Sequence, residues 1–387
     1  MDVDAPLALL GGLSPQAFMR RHWQKKPLLV RQALPDVTPP LARPALFDLA
    51  GRDGVESRLV VQRDGRWTVR SGPLPRRALP AARQPGWTLL VQGLDLHVAA
   101  ARELLSRFRF VPDARLDDLM VSWASDGGGV GPHLDSYDVF LIQLQGRRRW
   151  RVGPVADAAA AAFVEDAPLK ILRRFEPEHD WLLEPGDLLY LPPGWAHEGS
   201  ADGECMTGSI GFRAPSADGL ARELLQRLAE CDDADGRLHR SLYRDPRQPA
   251  TAKPGAIPEP LLAFARAALE RVLTQPGALE RALGEVLSEP KPQVWFDAGA
   301  GWQARRGVAL DPKTRMLYDA TEVFVNGEAF VAAGRDARLM RRLADERRLA
   351  AKDCAALSDG ARELLAEWVA GGWLVLGSES ESESESE

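Results

Sequence analysis

The sequence predicts an α+β chain of several domains: a jelly-roll (cupin) barrel, then a helical region, then a small module of winged-helix shape. Three observations predict it. Between residues 116 and 213, short apolar runs (DLMVSWAS, DVFLIQLQ, RRRWRVG, DLLYLPP, MTGSIGFR) are punctuated by glycine and proline, the pattern of many short strands. From about 216 to 290, ADGLARELLQRLAECDD, PEPLLAFARAALERVLTQP and GALERALGEVLSEP carry helical periodicity, with proline and glycine at their joins. After 291, short strands around MLYDATEVFVNGEAFVA mix with the helical segments RLMRRLADERRL and DGARELLAEWVAGGW. At 387 residues the chain has room for two or three cores of its own.

Each element has a local reason. Residues 14–26 form a short helix with Ser14 as N-cap and Pro15 at the first helical position. Pro27 ends it, and LLVRQAL begins a strand. The run SRLVVQRDGRWTVR is a β-hairpin turning at Asp64–Gly65, because that pair accepts the left-handed turn geometry. WTLLVQGL (87–94) is a strand, and HVAAARELLSRFRF (97–110) has helical spacing. A jelly roll suits the strands of 116–213, because its interior holds one metal and one small ligand. The leucine and alanine stripes of 216–290 read as core or as a dimer seam.

The net charge is −6, but five glutamates in the tail Gly377–Glu387 account for all but one of those charges. The folded body is near neutral, so charge points to no class of partner. The tail has no apolar residue to bury and reads as disordered and inert. Cys205, Cys231 and Cys354 are far apart, odd in number and without a CxxC pair, as in a reducing, cytoplasmic setting. No run reaches the roughly 18–20 apolar residues of a membrane helix. The single basic run, RLMRRLADERRLAAK, is broken by acids, so nucleic-acid binding is not expected.

The chemistry concentrates in GPHLDSYDVF (131–140) and LPPGWAHEG (191–199). On a strand, residues i and i+2 point to one side, so His133 and Asp135 can reach one metal. His197 follows a strand and turn sixty-four residues later and is the candidate third ligand. Two imidazoles and one carboxylate on one side of a metal, with the other positions open, are the facial triad of non-haem Fe(II) oxygenases. Spacing alone leaves open that two of the three are core or turn residues.

An oxygenase of this kind draws electrons from a co-substrate, most often 2-oxoglutarate, whose distal carboxylate needs a cation inside the barrel. In GRRRWRVG (146–153), alternation places Arg148, Trp150 and Val152 on one face and Arg147, Arg149 and Arg151 on the other. The apolar companions mark the Arg148 face as interior, and a buried guanidinium calls for a carboxylate. Ser122 either adds a hydroxyl to that carboxylate or is a satisfied strand serine. Ser209 is a weaker candidate of the same sort. Asp126, Tyr137 and Glu198 flank the metal motifs and are candidates for holding a substrate, or else are turn and surface residues.

The run SWASDGGGVGPHLDSYDVFLIQLQGRRRWRVG, with LEPGDLLYLPPGWAHEG and SIGFRAP, resembles the JmjC-type ribosomal oxygenases of bacteria. RRHWQKKPLLV (20–30) and ESRLV (56–60) extend the likeness, which is close over 14–215. The resemblance implies a catalytic JmjC domain over 1–215, a helical dimerisation region over 216–290 and a winged-helix-like domain over 291–376, before the tail 377–387. It implies iron on His133, Asp135 and His197, and 2-oxoglutarate held by Arg148 and Ser122. It further implies a cytoplasmic homodimer that hydroxylates C3 of an arginine in a large-subunit ribosomal protein, consuming O2 and releasing succinate and CO2. Fold alone does not separate this from a hydroxylase or demethylase of another protein, from a metal-binding cupin without oxygenase activity, or from a DNA-binding regulator. A mass change of +16 on arginine against −14 on methylated lysine, the arithmetic of the two reactions, discriminates the first two.

Overall fold

A computed structural model describes residues 2–155, 161–230, 242–299 and 301–377. The acidic tail from Ser378, Cys231 and His239 lie outside the described residues. The chain divides into two compact units, 1–214 and 215–387.

The first unit opens with α1 (Pro15–Arg21), whose N-cap Ser14 accepts a hydrogen bond from the Ala17 amide. This helix is shorter than the 14–26 expected, since the chain turns after Arg21. Next come β1 (Leu28–Val30), α2 (Arg43–Leu49), β2 (Ser57–Arg63), β3 (Arg66–Ser71), β4 (Trp87–Val91), α3 (Ala99–Ser106) and β5 (Leu116–Ala124). The β2–β3 turn has positive φ at both Asp64 and Gly65, as its sequence requires. The barrel strands continue with β6 (Val139–Pro154), β7 (His179–Leu183), β8 (Leu188–Leu191) and β9 (Trp195–Phe212).

Two expectations change here. DVFLIQLQ and RRRWRVG are one strand, not two. Gly146, in the left-handed region at φ 64°, makes a bulge where the register with β9 shifts, so the glycine bends the strand without ending it. MTGSIGFR is likewise the last part of the long β9. β7, around Trp181, had no clean alternation to announce it.

These strands form one antiparallel sheet ordered β1-β8-β6-β9-β5-β4-β2-β3, with β7 also on β6. The hydrogen-bonded path is open: it runs from β1 to β3 without closing on itself. The run WTLLV is buried at every position, which explains why it lacks strand alternation. Trp87, Leu89 and Val91 belong to a core shared with Phe18, Leu46 and Leu104 of the helices, while Thr88 and Leu90 face the interior cavity. Both faces of this part of the sheet are thus covered, and each fully buried large apolar side chain contributes about 1.5–3 kcal/mol.

A polar knot ties this layer to the segment that carries Asp135. Tyr190 donates to the fully buried Asp138 (2.6 Å) and accepts from the Gln24 amide (2.8 Å). The Gln24 side-chain amide also donates to Asp138, at 3.0 Å.

The second unit begins with α4 (Ala217–Glu230), α5 (Glu259–Leu273) and α6 (Ala278–Ser288). It continues with β10 (Val308–Leu310), β11 (Met316–Tyr318), β12 (Glu322–Val325), β13 (Glu328–Val331), α7 (Gly334–Glu346), β14 (Arg348–Leu349), α8 (Ala351–Ala355), α9 (Asp359–Ala370) and β15 (Leu374–Leu376). The strands make two small sheets, β14-β10-β15 and β11-β12-β13, and α6 packs on the second. Gly284 of α6 lies so close to the Phe324 ring that no larger residue fits there.

Replacing Tyr190 with Phe removes a donor from buried Asp138 and an acceptor from Gln24. The loss should be about 1–3 kcal/mol, read as a lower urea midpoint followed by tryptophan fluorescence.

Candidate metal centre and anion pocket

His133 does not sit on a regular strand, contrary to expectation. It makes a single bridge to the start of β9, with two reciprocal backbone hydrogen bonds of 3.0 Å to His197. Asp135 follows in irregular chain, held where its carbonyl accepts from the Gly194 amide at 3.2 Å. Gly131, at φ 78°, sets the approach to the bridge, packed against Trp67 and Ile171. The three side chains still converge, and their ligand atoms all lie within 4.8 Å of one another.

The histidines are oriented for a cation. His133 Nδ1 lies 2.9 Å from the Gly131 carbonyl and His197 Nδ1 lies 3.0 Å from the Trp195 carbonyl. A carbonyl only accepts, so each Nδ1 carries the hydrogen, which leaves Nε2 as the ligating position. Burial, and then the neighbouring His133, push His197 down to about 4, so its ring is neutral at pH 7. Asp135 Oδ2 stands 3.5 Å from His197 Nε2. Two imidazole nitrogens and a carboxylate gathered in this way are a donor set for a divalent metal.

Arg148 is 3% exposed and lies where alternation put it. One Nη donates to Ser122 Oγ and the other to the Gly199 carbonyl, both at 3.2 Å, and the guanidinium stacks over Trp150 at 5.1 Å. Its Nε has no partner, and among the described residues no carboxylate pairs with it. Burial pushes its pKa down. A guanidinium nevertheless stays protonated, so a buried, uncompensated positive charge remains. Gly199 makes the space: a Cβ there would lie 2.7 Å from Arg148 Nε and 2.8 Å from the Trp150 ring. By contrast Arg147 pairs with Asp202, Arg149 with Asp180 and Arg151 with Glu198, all on the outer face.

The metal ligands, Ser122, Arg148, Ser209 and Tyr137 all border one cavity of about 430 Å³. Tyr137 stands beside Asp135, half-exposed at the cavity edge, and desolvation together with that carboxylate raises its pKa. Two expected substrate residues stand elsewhere. Glu198 follows His197 directly, so strand alternation turns it to the outer face and Arg151. Asp126 is exposed beyond the end of β5, where it accepts from the Gly203 amide at 2.9 Å. Sequence reasoning missed Asp117, Asp118 and Thr88, which also line the cavity. Asp118 and Met120 are in phase with Ser122, and that phase was a signal. A register shift between Leu116 and Leu119 brings Asp117 to the wall as well.

Residues 103–220 match the model of the JmjC domain family, and residues 271–375 that of the ROXA-like winged helix. The chain is 38% identical over 281 residues to the ribosomal protein uL16 3-hydroxylase of Escherichia coli, covering 72% of each. It is 38% identical over 213 residues to a probable ribosomal oxygenase of Haemophilus influenzae, 54% of this chain and 52% of that protein. Among solved structures, YcfD, a ribosomal oxygenase from Escherichia coli in complex with cobalt and 2-oxoglutarate, matches with a TM-score of 0.78 at 31% identity. That match covers 95% of this chain and 99% of the other.

Gly199→Ala should displace Arg148 while the sheet persists. The expected result is a loss of at least about tenfold in dicarboxylate affinity with circular dichroism unchanged, read by calorimetric titration.

Proposed function

The chain belongs to the JmjC-type ribosomal oxygenases, and from that premise we propose that it hydroxylates C3 of an arginine in a large-subunit ribosomal protein, as an iron(II)- and 2-oxoglutarate-dependent dioxygenase. The observation that carries the reading is the pairing, in one cavity, of a two-histidine, one-carboxylate cluster with a buried arginine that has no counter-ion among the described residues. A metal-binding cupin of other function has no need of the second feature.

His133, Asp135 and His197 hold iron, and Arg148 and Ser122 hold the distal carboxylate of 2-oxoglutarate, with Ser209 on the same wall. Bound there, the metal and co-substrate supply the oxidising power: O2 is consumed, succinate and CO2 are released, and one oxygen atom enters a C–H bond of the substrate. The protein's share is placement. The carbonyls of Gly131 and Trp195 fix both imidazoles, and Tyr137 stands beside Asp135 at the cavity edge. A salt link to Arg148, which itself lies over Trp150, would set the co-substrate's direction. Asp117, paired with Arg213, and Asp118, which accepts from the Gly93 amide, put carboxylates on the wall.

The protein acts as a homodimer through 216–290. Leu262, Leu269 and Leu273 lie along one stripe of α5 and are exposed, Leu269 at 57% and Leu273 at 49%, and α5 buries none of its described residues. No described helix is long and apolar enough to cross a membrane. A ribosomal substrate places the enzyme where ribosomal proteins are assembled, in the cytoplasm.

Incubating ribosomal proteins with the enzyme, Fe(II) and 2-oxoglutarate should add 16 mass units to one arginine-containing peptide, and loss of 14 from a methylated lysine would overturn the reading. His133→Ala should abolish both that shift and substrate-dependent succinate. Arg148→Ala should weaken 2-oxoglutarate binding far more than metal binding, and equal loss of both would make Arg148 merely structural. Leu269→Glu with Leu273→Glu should halve the mass measured by light scattering without unfolding the first unit.

A further inference from the structure

Thr88 is fully buried, and its hydroxyl has no hydrogen-bond partner among the described residues. Valine has the same shape and is the ordinary occupant of such a strand position, whereas burying a lone hydroxyl is unfavourable. Thr88 is also in the inward phase of β4, on the cavity wall with Leu90 and Gln92, while its neighbours Trp87 and Leu89 pack outward beneath the helices. Two of the other buried hydroxyls on this wall, those of Ser122 and Thr207, are engaged. Ser122 accepts from Arg148 and lies 3.4 Å from the Thr207 carbonyl, and Thr207 donates to Gln143 at 3.1 Å.

The sheet register brings Thr88 to the anion pocket. Leu90 pairs with Ser122 and Thr88 with Ala124, so Thr88 is the diagonal neighbour of Ser122 on the same face. Such neighbours stand roughly 7–8 Å apart at Cα, close enough for both hydroxyls to meet a carboxylate between them. A carboxylate offers about four lone-pair sites. Arg148 has five N–H donors and commits two of them to Ser122 and Gly199, so at most three remain for a carboxylate and at least one of its four sites is open to another donor.

We propose that Thr88 donates its hydroxyl hydrogen to the distal carboxylate of 2-oxoglutarate, as a co-substrate-binding residue beside Arg148 and Ser122. The assignment rests on the function proposed above. It explains why a hydroxyl stands in the otherwise apolar run WTLLV, and it gives the co-substrate a contact on the β4 side of the cavity, away from the metal ligands.

The test is calorimetric titration of 2-oxoglutarate into Mn(II)-loaded full-length protein, comparing wild type, Thr88→Val and Thr88→Ser. Thr88→Val should weaken binding by about tenfold or more, the range for a hydrogen bond to a charged group. Thr88→Ser, which keeps the hydroxyl, should stay within a few-fold of wild type, and Mn(II) affinity should be equal in all three. Wild-type affinity in Thr88→Val would overturn the assignment, and so would a parallel fall in Mn(II) affinity, which would mark a packing defect. If wild type itself fails to bind 2-oxoglutarate, the proposed function fails and Thr88's role with it.

Discussion

A positive charge held inside a β-sheet structure without a fixed negative partner is the constraint around which the first unit is arranged. Arg148 is one of four arginines in a row of five residues on β6, and the other three are matched by acids on the outer face. Strand alternation alone separates the two fates. The inward guanidinium is supported rather than neutralised: Ser122 and the Gly199 carbonyl accept from it, Trp150 lies beneath it, and the missing side chain of Gly199 gives it room. These contacts recover only part of the solvation that Arg148 loses on burial. On the function proposed above, the remainder would fall to the bound dicarboxylate, coupling affinity for the co-substrate and the energetics of the fold at one residue.

The walls of the cavity have to resist that charge. They do so because the amino-terminal helices cover the sheet from outside. Trp87, Trp123, Phe18 and Phe140 are fully buried in that outer layer. The Asp138–Tyr190–Gln24 knot links the helical layer to the segment bearing Asp135 and Tyr137. Metal ligands on irregular chain thereby gain the rigidity that strands ordinarily supply.

Much of this was legible in the residues. His133, Asp135 and His197 stood out because few residue types bind iron, and Arg148 because its apolar neighbours marked its face. The expectation of a strand beneath His133 and Asp135 was replaced by a single bridge, yet the pair still converges, since the bridge fixes the same backbone that a strand would. Legibility failed where phase or long-range pairing decides. Glu198 sits beside a ligand in sequence but on the other face in space. Gly146 looks like a strand end and is a bulge. Thr88 is hidden in a run that reads as plain core, and only its unpartnered hydroxyl and its place on the cavity wall distinguish it.

The bridge between His133 and His197 has a consequence for how the chain matures. The unfolded polypeptide offers a metal two close ligands at most, because the third lies sixty-four residues away along the chain. Closing a loop of that length carries an entropic penalty that the ladder of β6 and β9 offsets only once the sheet has formed. The complete coordination sphere is therefore a late product of folding. A nascent chain emerging among competing ions holds them weakly, and selection among metals is deferred until the native geometry can exercise it.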